Sequence, residues 1–349
     1  MIGAIQHSAP LGALLCQKVA RAMDVILHIG AHRTGTTSFQ QYLDRNGAAL
    51  RDHRIAHWGP KRTRGGLFAG LMIRPVNVGA QAARRAHRSS GLIKTNISDL
   101  RRKGQGHLII SDENTIGSIR HNLAQSALYP DLLPRLLRLR AGLATNLTRI
   151  VLTVRSYSGY WSSALAYSAR AGGRVATPDM LDRLVTQPRR WRSIVHDVRL
   201  AFPSAEIVVC PFEQFAGRSD ALLRAALGGQ VMGGDFAADD RWHNPSPSAD
   251  QLRAILADRG QDPSAIAGGS GRWVPFDDPQ RAAMADQYAS DIDWLRGGAD
   301  GIAHYIETPF DHIRTEHIRP TRDEVTGRCL PDGAAGAGGQ IYGKQRYLV

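Results

Sequence analysis

The sequence predicts an α/β protein of three layers, in which a central, mainly parallel sheet is flanked by helices. Short apolar runs, each of the length of a buried strand, alternate with longer helix-like segments. Strands that alternate with helices are typical of a parallel sheet covered on both faces. The chain of 349 residues, of which 43% are apolar, is also large enough to form a sizeable core.

The elements follow in order along the chain. The predicted strands are the apolar runs 25–29, 107–110, 149–154 and 206–210. The predicted helices begin near Thr36 and continue at 131–141, 160–171, 191–201, 220–227, 250–258 and 280–295. No strand is predicted after Gly228. We therefore expect an α/β domain over residues 23–300, preceded by a poorly ordered extension over 1–22. A C-terminal tail over 301–349 should follow it, polar and extended or disordered from Pro309 onward.

Positive charge is concentrated in one part of the chain. The net charge is +13, and only five of the 44 cationic residues are lysines. The segment 51–106 holds 13 Lys or Arg residues against Asp52 and Asp99, a net charge of +11. Such a segment attracts nucleic acid, acidic glycans, nucleotides or a membrane surface, or else forms an ordinary arginine-rich surface. Trp58 and Phe68 are its only aromatic residues, too few for base stacking, so no nucleic-acid partner is expected.

The cysteines indicate a reducing compartment. Cys16, Cys210 and Cys329 are odd in number, far apart and without metal-type spacing. No run of 18 apolar residues occurs, so no transmembrane segment is expected. These observations favour a cytoplasmic location.

The loop after the first predicted strand leads into the first predicted helix. Gly30 and Gly35 have the G-x-x-x-x-G spacing of a phosphate-binding loop. Backbone N–H groups of such a loop converge on a phosphate, and the helix N-terminus adds partial positive charge. Thr36 and Thr37 supply hydroxyl donors, and Thr34 or Thr36 can cap the helix. The alternative is a glycine turn that binds nothing.

This loop departs from the Walker A pattern at one position. An NTPase has lysine directly after the second glycine, where it reaches the β- and γ-phosphates. Here that residue is Thr36, and the cation is Arg33, two positions before Gly35. The loop is thus suited to a phosphate but lacks the lysine that binds a nucleoside triphosphate. An unusual P-loop kinase or NTPase stays an alternative, as does a basic nucleic-acid-binding protein without catalysis.

The stretch Ile29-Gly30-Ala31-His32-Arg33-Thr34-Gly35-Thr36-Thr37 resembles the 5′-phosphosulfate-binding loop of sulfotransferases, which usually carries Lys-[Ser/Thr/Gly]-Gly-Thr-[Thr/Ser]. These enzymes use 3′-phosphoadenosine-5′-phosphosulfate (PAPS) on a P-loop NTPase-like fold. The resemblance implies that the donor is bound by Gly30, Arg33, Thr34, Gly35, Thr36 and Thr37. Arg33 stands at the position of the family's lysine, which contacts the sulfonate and the leaving phosphate. An arginine there can stabilise charge on the bridging oxygen.

A second motif extends the resemblance. The family binds the 3′-phosphate of the donor with an arginine at a strand end and a serine eight residues later. Here these residues are Arg155 and Ser163. Weaker similarities, in the segments 210–215 and 244–248 and in the last predicted helix, extend it over about residues 24–297.

The candidate base for the acceptor hydroxyl is Glu113, directly after the second predicted strand. The carboxyl edge of an open parallel sheet is where ligands bind, and glycan-modifying sulfotransferases use a glutamate at a similar place. His32 is the rival base, and Asp112 could replace Glu113. The competing interpretation is that Asp112 or Glu113 merely caps the next helix, while His28 is expected to be a strand residue with a satisfied ring.

The resemblance implies transfer of a sulfuryl group from PAPS to a hydroxyl or amine, leaving 3′-phosphoadenosine-5′-phosphate (PAP). No metal is required, since a sulfuryl group carries less charge than a γ-phosphoryl group. The acceptor can be a glycan, a glycolipid or a small molecule. We expect the basic segment 51–106 to form acceptor-side structure that faces an acidic or phosphorylated acceptor, with Arg84 and Arg85 among its cations.

Overall fold

The structure is a computed structural model that describes residues 23–229, 236–237 and 245–309. The predicted extension over 1–22 lies outside the described residues, as does the predicted tail from residue 310 onward. Within the described ranges, no helix combines the length and the apolar character needed to cross a bilayer.

Six strands form the central sheet: β1 (Asp24–Gly30), β2 (Ile55–Trp58), β3 (His107–Ser111), β4 (Leu147–Val154), β5 (Glu206–Pro211) and β6 (His304–Tyr305). Their order is β2-β3-β1-β4-β5-β6, and every neighbouring pair is parallel. Helices flank the sheet. The predicted α/β class is therefore confirmed, and the architecture is consistent with a three-layer, P-loop-like fold. The four predicted strands are the central ones: β1, β3, β4 and β5.

The two edge strands have no counterpart in the sequence prediction, and the expectation of no strand after Gly228 is wrong. β2 has four residues and β6 has two. Runs this short carry no periodic signal of their own. Each becomes a strand because a longer neighbour, β3 or β5, supplies the backbone hydrogen bonds.

The α-helices of the described residues are α1 (Thr36–Arg45), α2 (Gly47–Asp52), α3 (Pro60–Arg62), α4 (Ala80–Arg102), α5 (Ile119–Ala124), α6 (Leu132–Leu143), α7 (Tyr157–Arg170), α8 (Pro178–Val185), α9 (Trp191–Ala201), α10 (Phe212–Phe215), α11 (Ser219–Ala226), α12 (Ala249–Asp258) and α13 (Asp278–Arg296). The predicted helices correspond to α1, α6, α7, α9, α11, α12 and α13, and their ends agree to within three residues. Most of the basic segment 51–106 forms the long helix α4 and the turns that precede it.

Strand β1 shows why the central runs are apolar throughout. Val25, Leu27 and Ile29 belong to one buried cluster, whereas Ile26 belongs to a second. Successive side chains of a strand point to opposite faces of the sheet. A strand covered by helices on both faces therefore needs apolar residues at consecutive positions.

The end of β1 is held between its two neighbours. The backbone N–H of Ala31 donates to the carbonyl oxygen of Thr153 at 2.9 Å, and that of Asp112 donates to His28 at 3.2 Å. The loop after β1 is thus fixed beside the residues that follow β3 and β4. This carboxyl edge of the sheet is where open α/β folds bind their ligands.

Candidate active site

The loop between β1 and α1 has a strained backbone. Gly30, Arg33 and Gly35 are all left-handed, with φ values of 67°, 63° and 79°. A Cβ atom on Gly30 would lie 2.5 Å from the hydroxyl oxygen of Thr36, so glycine is required there. Arg33 bears the strain itself, of about 1–2 kcal/mol. Strain of this kind concentrates at functional sites.

The threonines brace the loop rather than cap the helix. The hydroxyls of Thr34 and Thr36 both donate to the carbonyl oxygen of Ala31, at 2.7 and 3.2 Å. The N-cap of α1 is Gly35, and no side chain caps it. The expected capping by Thr34 or Thr36 is therefore wrong, because their hydroxyls stabilise the turn that presents the helix. An uncapped helix N-terminus leaves backbone donors for an anion.

The Arg33 side chain extends from the loop to α7. Its Nε donates to Ser163 Oγ at 2.9 Å, and one terminal nitrogen donates to Ser246 Oγ at 3.1 Å. The two serine hydroxyls are 2.6 Å apart. Burial, and next the repulsion of Arg170, lowers the pKa of Arg33. Residues that are 130 positions apart in the sequence are thus in direct contact.

Arg155 follows β4 and lies beside the same loop. It is 8% exposed, and it donates to the carbonyl oxygen of Arg33 at 2.5 Å. Its guanidinium lies 4.3 Å from the centre of the Phe212 ring. Trp191 Nε1 donates to the Arg155 carbonyl oxygen at 2.7 Å and so fixes the strand end. Burial, reinforced by the positive charge of Arg272, lowers the pKa of Arg155 to about 10, which leaves it cationic at neutral pH.

Glu113 is held by two donors on the other side of the loop. Its carboxylate accepts from Arg64 and from the amide of Gln40, both at 3.0 Å. Burial works to raise the pKa of Glu113, but a backbone hydrogen bond and the charge and hydrogen bond of the Arg64 guanidinium hold this pKa below its usual value. Glu113 is therefore ionised at neutral pH.

Asp112 is a structural residue in this arrangement. Its side chain is fully buried and accepts from Arg64 at 2.7 Å, from the Thr63 hydroxyl and from the backbone N–H of Asn114 at 3.0 Å. The last bond caps the short 3₁₀ turn Glu113–Thr115. The capping role expected for Asp112 or Glu113 thus falls to Asp112, which leaves Glu113 as the carboxylate that lines the cavity described below.

Both ring nitrogens of His32 are engaged. Nδ1 lies 3.0 Å from the Tyr129 hydroxyl, and Nε2 lies 3.1 Å from Asn114 Oδ1. The backbone N–H of His32 also donates to Tyr129 at 2.9 Å, and Tyr160 donates to the same hydroxyl at 3.3 Å. With the amide oxygen of Asn114 as acceptor, the network assigns the ring proton to Nε2. Burial lowers the pKa of His32, so the ring is uncharged at neutral pH. Because Tyr129 engages Nδ1 and Nε2 carries the ring proton, neither nitrogen is available to take a proton from a substrate hydroxyl.

His28 is a strand residue, as expected, but its ring is not fully satisfied. Its Nδ1 lies 2.9 Å from the hydroxyl of Ser111, whereas its buried Nε2 has no hydrogen-bond partner among the described residues. Burial lowers its pKa to about 4.

These groups surround a cavity of about 1110 Å³, called here the main cavity. It is lined by eight of the ten predicted site residues: His32, Arg33, Gly35, Thr36, Thr37, Glu113, Arg155 and Ser163. Gly30 and Thr34 lie behind this lining and shape the loop. Of the residues that the structure describes, five arginines contribute to the wall, namely Arg33, Arg64, Arg120, Arg155 and Arg272, against one carboxylate, Glu113. The cavity is therefore suited to an anionic ligand.

The structure adds residues that the sequence analysis did not select. Gln40 is four residues after Thr36 and therefore lies on the same face of α1, a spacing that could have identified it from the sequence. Ser246 lies in the segment 244–248, whose first residue, Asn244, is outside the described residues. No motif or spacing in the sequence distinguishes Arg64 or Arg272 from the other arginines.

The basic segment contributes less to the main cavity than expected. Pro60 and Arg64 line it, whereas Arg84 and Arg85 lie exposed on α4 and do not. Whether the segment faces an acidic acceptor stays a prediction.

Among the described residues, no group of three or more His, Cys, Asp or Glu side chains is arranged to hold a metal ion. No protein-family model matches the chain, and no curated protein matches it significantly.

Proposed function

We propose that this protein is a sulfotransferase that transfers the sulfuryl group of PAPS to a hydroxyl of an acceptor. The observation that carries the proposal is the contact between the phosphate-binding loop and the Arg155–Ser163 pair. Arg33 joins them through a 2.9 Å bond to Ser163 and a 2.5 Å bond from Arg155. Two motifs that resemble the two phosphate-binding motifs of one nucleotide donor thus line one cavity.

The residues present fit such a donor. The loop from Gly30 to Thr37 and the uncapped end of α1 offer backbone donors for the 5′-phosphosulfate. Arg155, with the hydroxyls of Ser163 and Ser246, offers charged and neutral donors for the 3′-phosphate. The walls supply five guanidinium groups in all, which suits a ligand with several negative charges.

The bound donor would supply a sulfuryl group that is activated by its phosphate leaving group. Catalysis then depends on orientation and on stabilisation of charge, as in phosphoryl transfer. Arg33 and the backbone N–H groups of the loop stabilise charge on the leaving phosphate. The arginine stays protonated throughout, so it acts as an electrostatic group and not as a proton donor.

Glu113 takes the proton of the acceptor hydroxyl. It is the carboxylate of the main cavity, and it is already ionised. A positioned base contributes about 10²–10⁴-fold to a rate. His32 is the weaker candidate because Tyr129 and Asn114 engage both of its nitrogens. Its role in the proposal is to hold the loop against the residues that follow β3.

A ligand titration tests the proposal. We expect PAP to raise the melting temperature of the pure protein, since a ligand that binds the folded state stabilises it. We expect 5′-AMP, which lacks the 3′-phosphate, to stabilise it less. Stabilisation by Mg-ATP and not by PAP would replace the proposal with a nucleotide kinase or NTPase. Stabilisation by duplex DNA alone would replace it with a nucleic-acid-binding protein.

A further inference from the structure

A second, smaller cavity of about 430 Å³ adjoins the main cavity. Arg64, Asn114 and Ser118 line both of them. Part of its wall is apolar, formed by Phe68, Met72, Ile73 and Ile116. Its volume lies in the range of small-molecule sites.

The charged groups of the smaller cavity are mostly cations. Among the described lining residues they are Arg64, Arg74 and Arg135, against the carboxylate of Asp131. That carboxylate lies 2.9 Å from His121 and 3.7 Å from Arg74, and Arg64 is paired with Asp112 and Glu113. Arg135 is therefore the cation of this lining for which the described residues supply no carboxylate partner.

Arg135 is the most unusual of these cations. It is 5% exposed, and it donates to the carbonyl oxygens of Thr115 at 3.2 Å and Asn114 at 2.6 Å. Among the described residues, no carboxylate forms an ion pair with it. Burial lowers its pKa to about 10, opposed by the more distant charge of Asp131. A buried cation held by carbonyl oxygens is stabilised when an anion enters its surroundings.

We propose that the smaller cavity binds the acceptor of the reaction, and that this acceptor is a small alcohol that carries a phosphate or a carboxylate. Arg74 and Arg135 would hold the anion. The apolar wall would cover the carbon skeleton, and the reacting hydroxyl would extend toward the main cavity. This inference rests on the proposed sulfuryl transfer and names the class of its acceptor.

Arg64 connects the two cavities chemically. It donates to Asp112 at 2.7 Å and to Glu113 at 3.0 Å, and it lines the smaller cavity. Arg64 therefore holds the base beside the boundary between the two cavities.

The experiment measures acceptor binding on protein saturated with PAP, so that the nucleotide site is occupied. The probes are glucose, glucose 6-phosphate and glucuronate, titrated by calorimetry. We expect both anions to bind at least about tenfold more tightly than glucose, and the difference to shrink at high salt. Glucose 6-phosphate tests the phosphate and glucuronate tests the carboxylate. The compound that binds more tightly identifies the anion that the cavity prefers.

Two variants localise the effect. Arg74→Gln removes a half-exposed cation of the cavity and should weaken binding of the preferred anion about fivefold. Arg84→Gln removes an exposed cation of the same basic segment that lines neither cavity, and it should leave binding unchanged. Equal affinity for glucose and both anions would overturn the inference, as would an unchanged affinity in Arg74→Gln. Failure to bind PAP would instead overturn the proposed function, so the two failures are distinguishable.

Discussion

The main cavity has two sides that use arginine in different ways. On one side, the guanidinium groups of Arg33 and Arg155 contact serine hydroxyls, a carbonyl oxygen and aromatic rings. On the other side, Arg64 contacts two carboxylates, Asp112 and Glu113. Burial lowers the pKa of Arg33 and Arg155, whereas the carboxylates raise that of Arg64 against the effect of its burial.

The different surroundings of these arginines indicate different roles on the two sides of the cavity. Arg33 and Arg155 contact hydroxyls, a carbonyl oxygen and rings in a partly desolvated site, so the anion of a ligand adds a favourable charge interaction there. A cation already neutralised by carboxylates gains less, and it serves to keep a carboxylate ionised and in place. The same residue type therefore binds the donor on one side and positions the base on the other. The following predictions test this division.

The largest effect is expected on the base side. Glu113→Gln should slow release of PAP from PAPS, with water as acceptor, by about 10²–10⁴-fold because it removes the base. Its affinity for PAP should stay unchanged, since Glu113 is not one of the groups assigned to the nucleotide. Glu206→Gln, a matched change at a residue paired with Arg149 outside the cavity, should keep the rate.

The pH profile sharpens this test. Glu113 must be ionised to act, and its pKa is lowered, so the rate should hold from neutral pH down through the ordinary range of a glutamate and fall only below it. The free energy of unfolding should change with pH in the same direction as the rate. The contribution of this carboxylate is present at neutral pH and is lost as the pH falls through its lowered pKa. The acid limb should vanish in Glu113→Gln. Its persistence there would transfer the role to His32.

The second effect is expected on the nucleotide side. Arg155→Ala should weaken PAP binding about 100-fold, because a buried charged donor to the 3′-phosphate is removed. Binding of 5′-AMP should change far less. Arg149→Ala, at a residue of the same strand β4 that does not line the cavity, provides the control in calorimetric titrations. Equal losses for PAP and 5′-AMP would contradict the assignment of Arg155 to the 3′-phosphate.

A smaller effect is expected in the loop that separates the two sides. Gly30→Ala would place a Cβ 2.5 Å from Thr36 Oγ1 at a φ of +67°. We expect a loss of about 1–2 kcal/mol in the free energy of unfolding, measured by chemical denaturation. Gly59→Ala, where a Cβ meets nothing within 4 Å and φ is −93°, should be nearly neutral. Similar stabilities of the two variants would show that the loop relaxes easily.

The smallest effect is expected at Ser246. Its hydroxyl contacts Ser163 and Arg33, so Ser246→Ala should reduce PAP affinity about fivefold, the worth of one neutral hydrogen bond. The affinity for 5′-AMP serves as the internal control and should stay constant. If both affinities stayed constant, Ser246 would only support Arg33.

The α/β class, the four central strands and the residues of both motifs could be predicted from the sequence alone. Apolar runs fixed β1, β3, β4 and β5, because a strand buried on both faces must be apolar at consecutive positions. The spacing of Gly30 and Gly35 predicted the loop, since its left-handed positions favour glycine. The position of Glu113 after β3 predicted its place at the carboxyl edge, where all parallel strands end together.

The short edge strand β6 and the roles of Arg64 and His32 depend on contacts between distant segments, so only the folded structure shows them. β6 exists through its pairing with β5 and has no pattern of its own. Arg64 was one of 13 cations in its segment, and only its approach to Asp112 distinguishes it from the exposed Arg84. The sequence makes His32 a candidate base beside the loop. In the structure, Tyr129 and Asn114 engage both of its nitrogens. Local spacing can predict where a loop binds an anion, but the charge state and the availability of each side chain are set by neighbours that the chain supplies from far away.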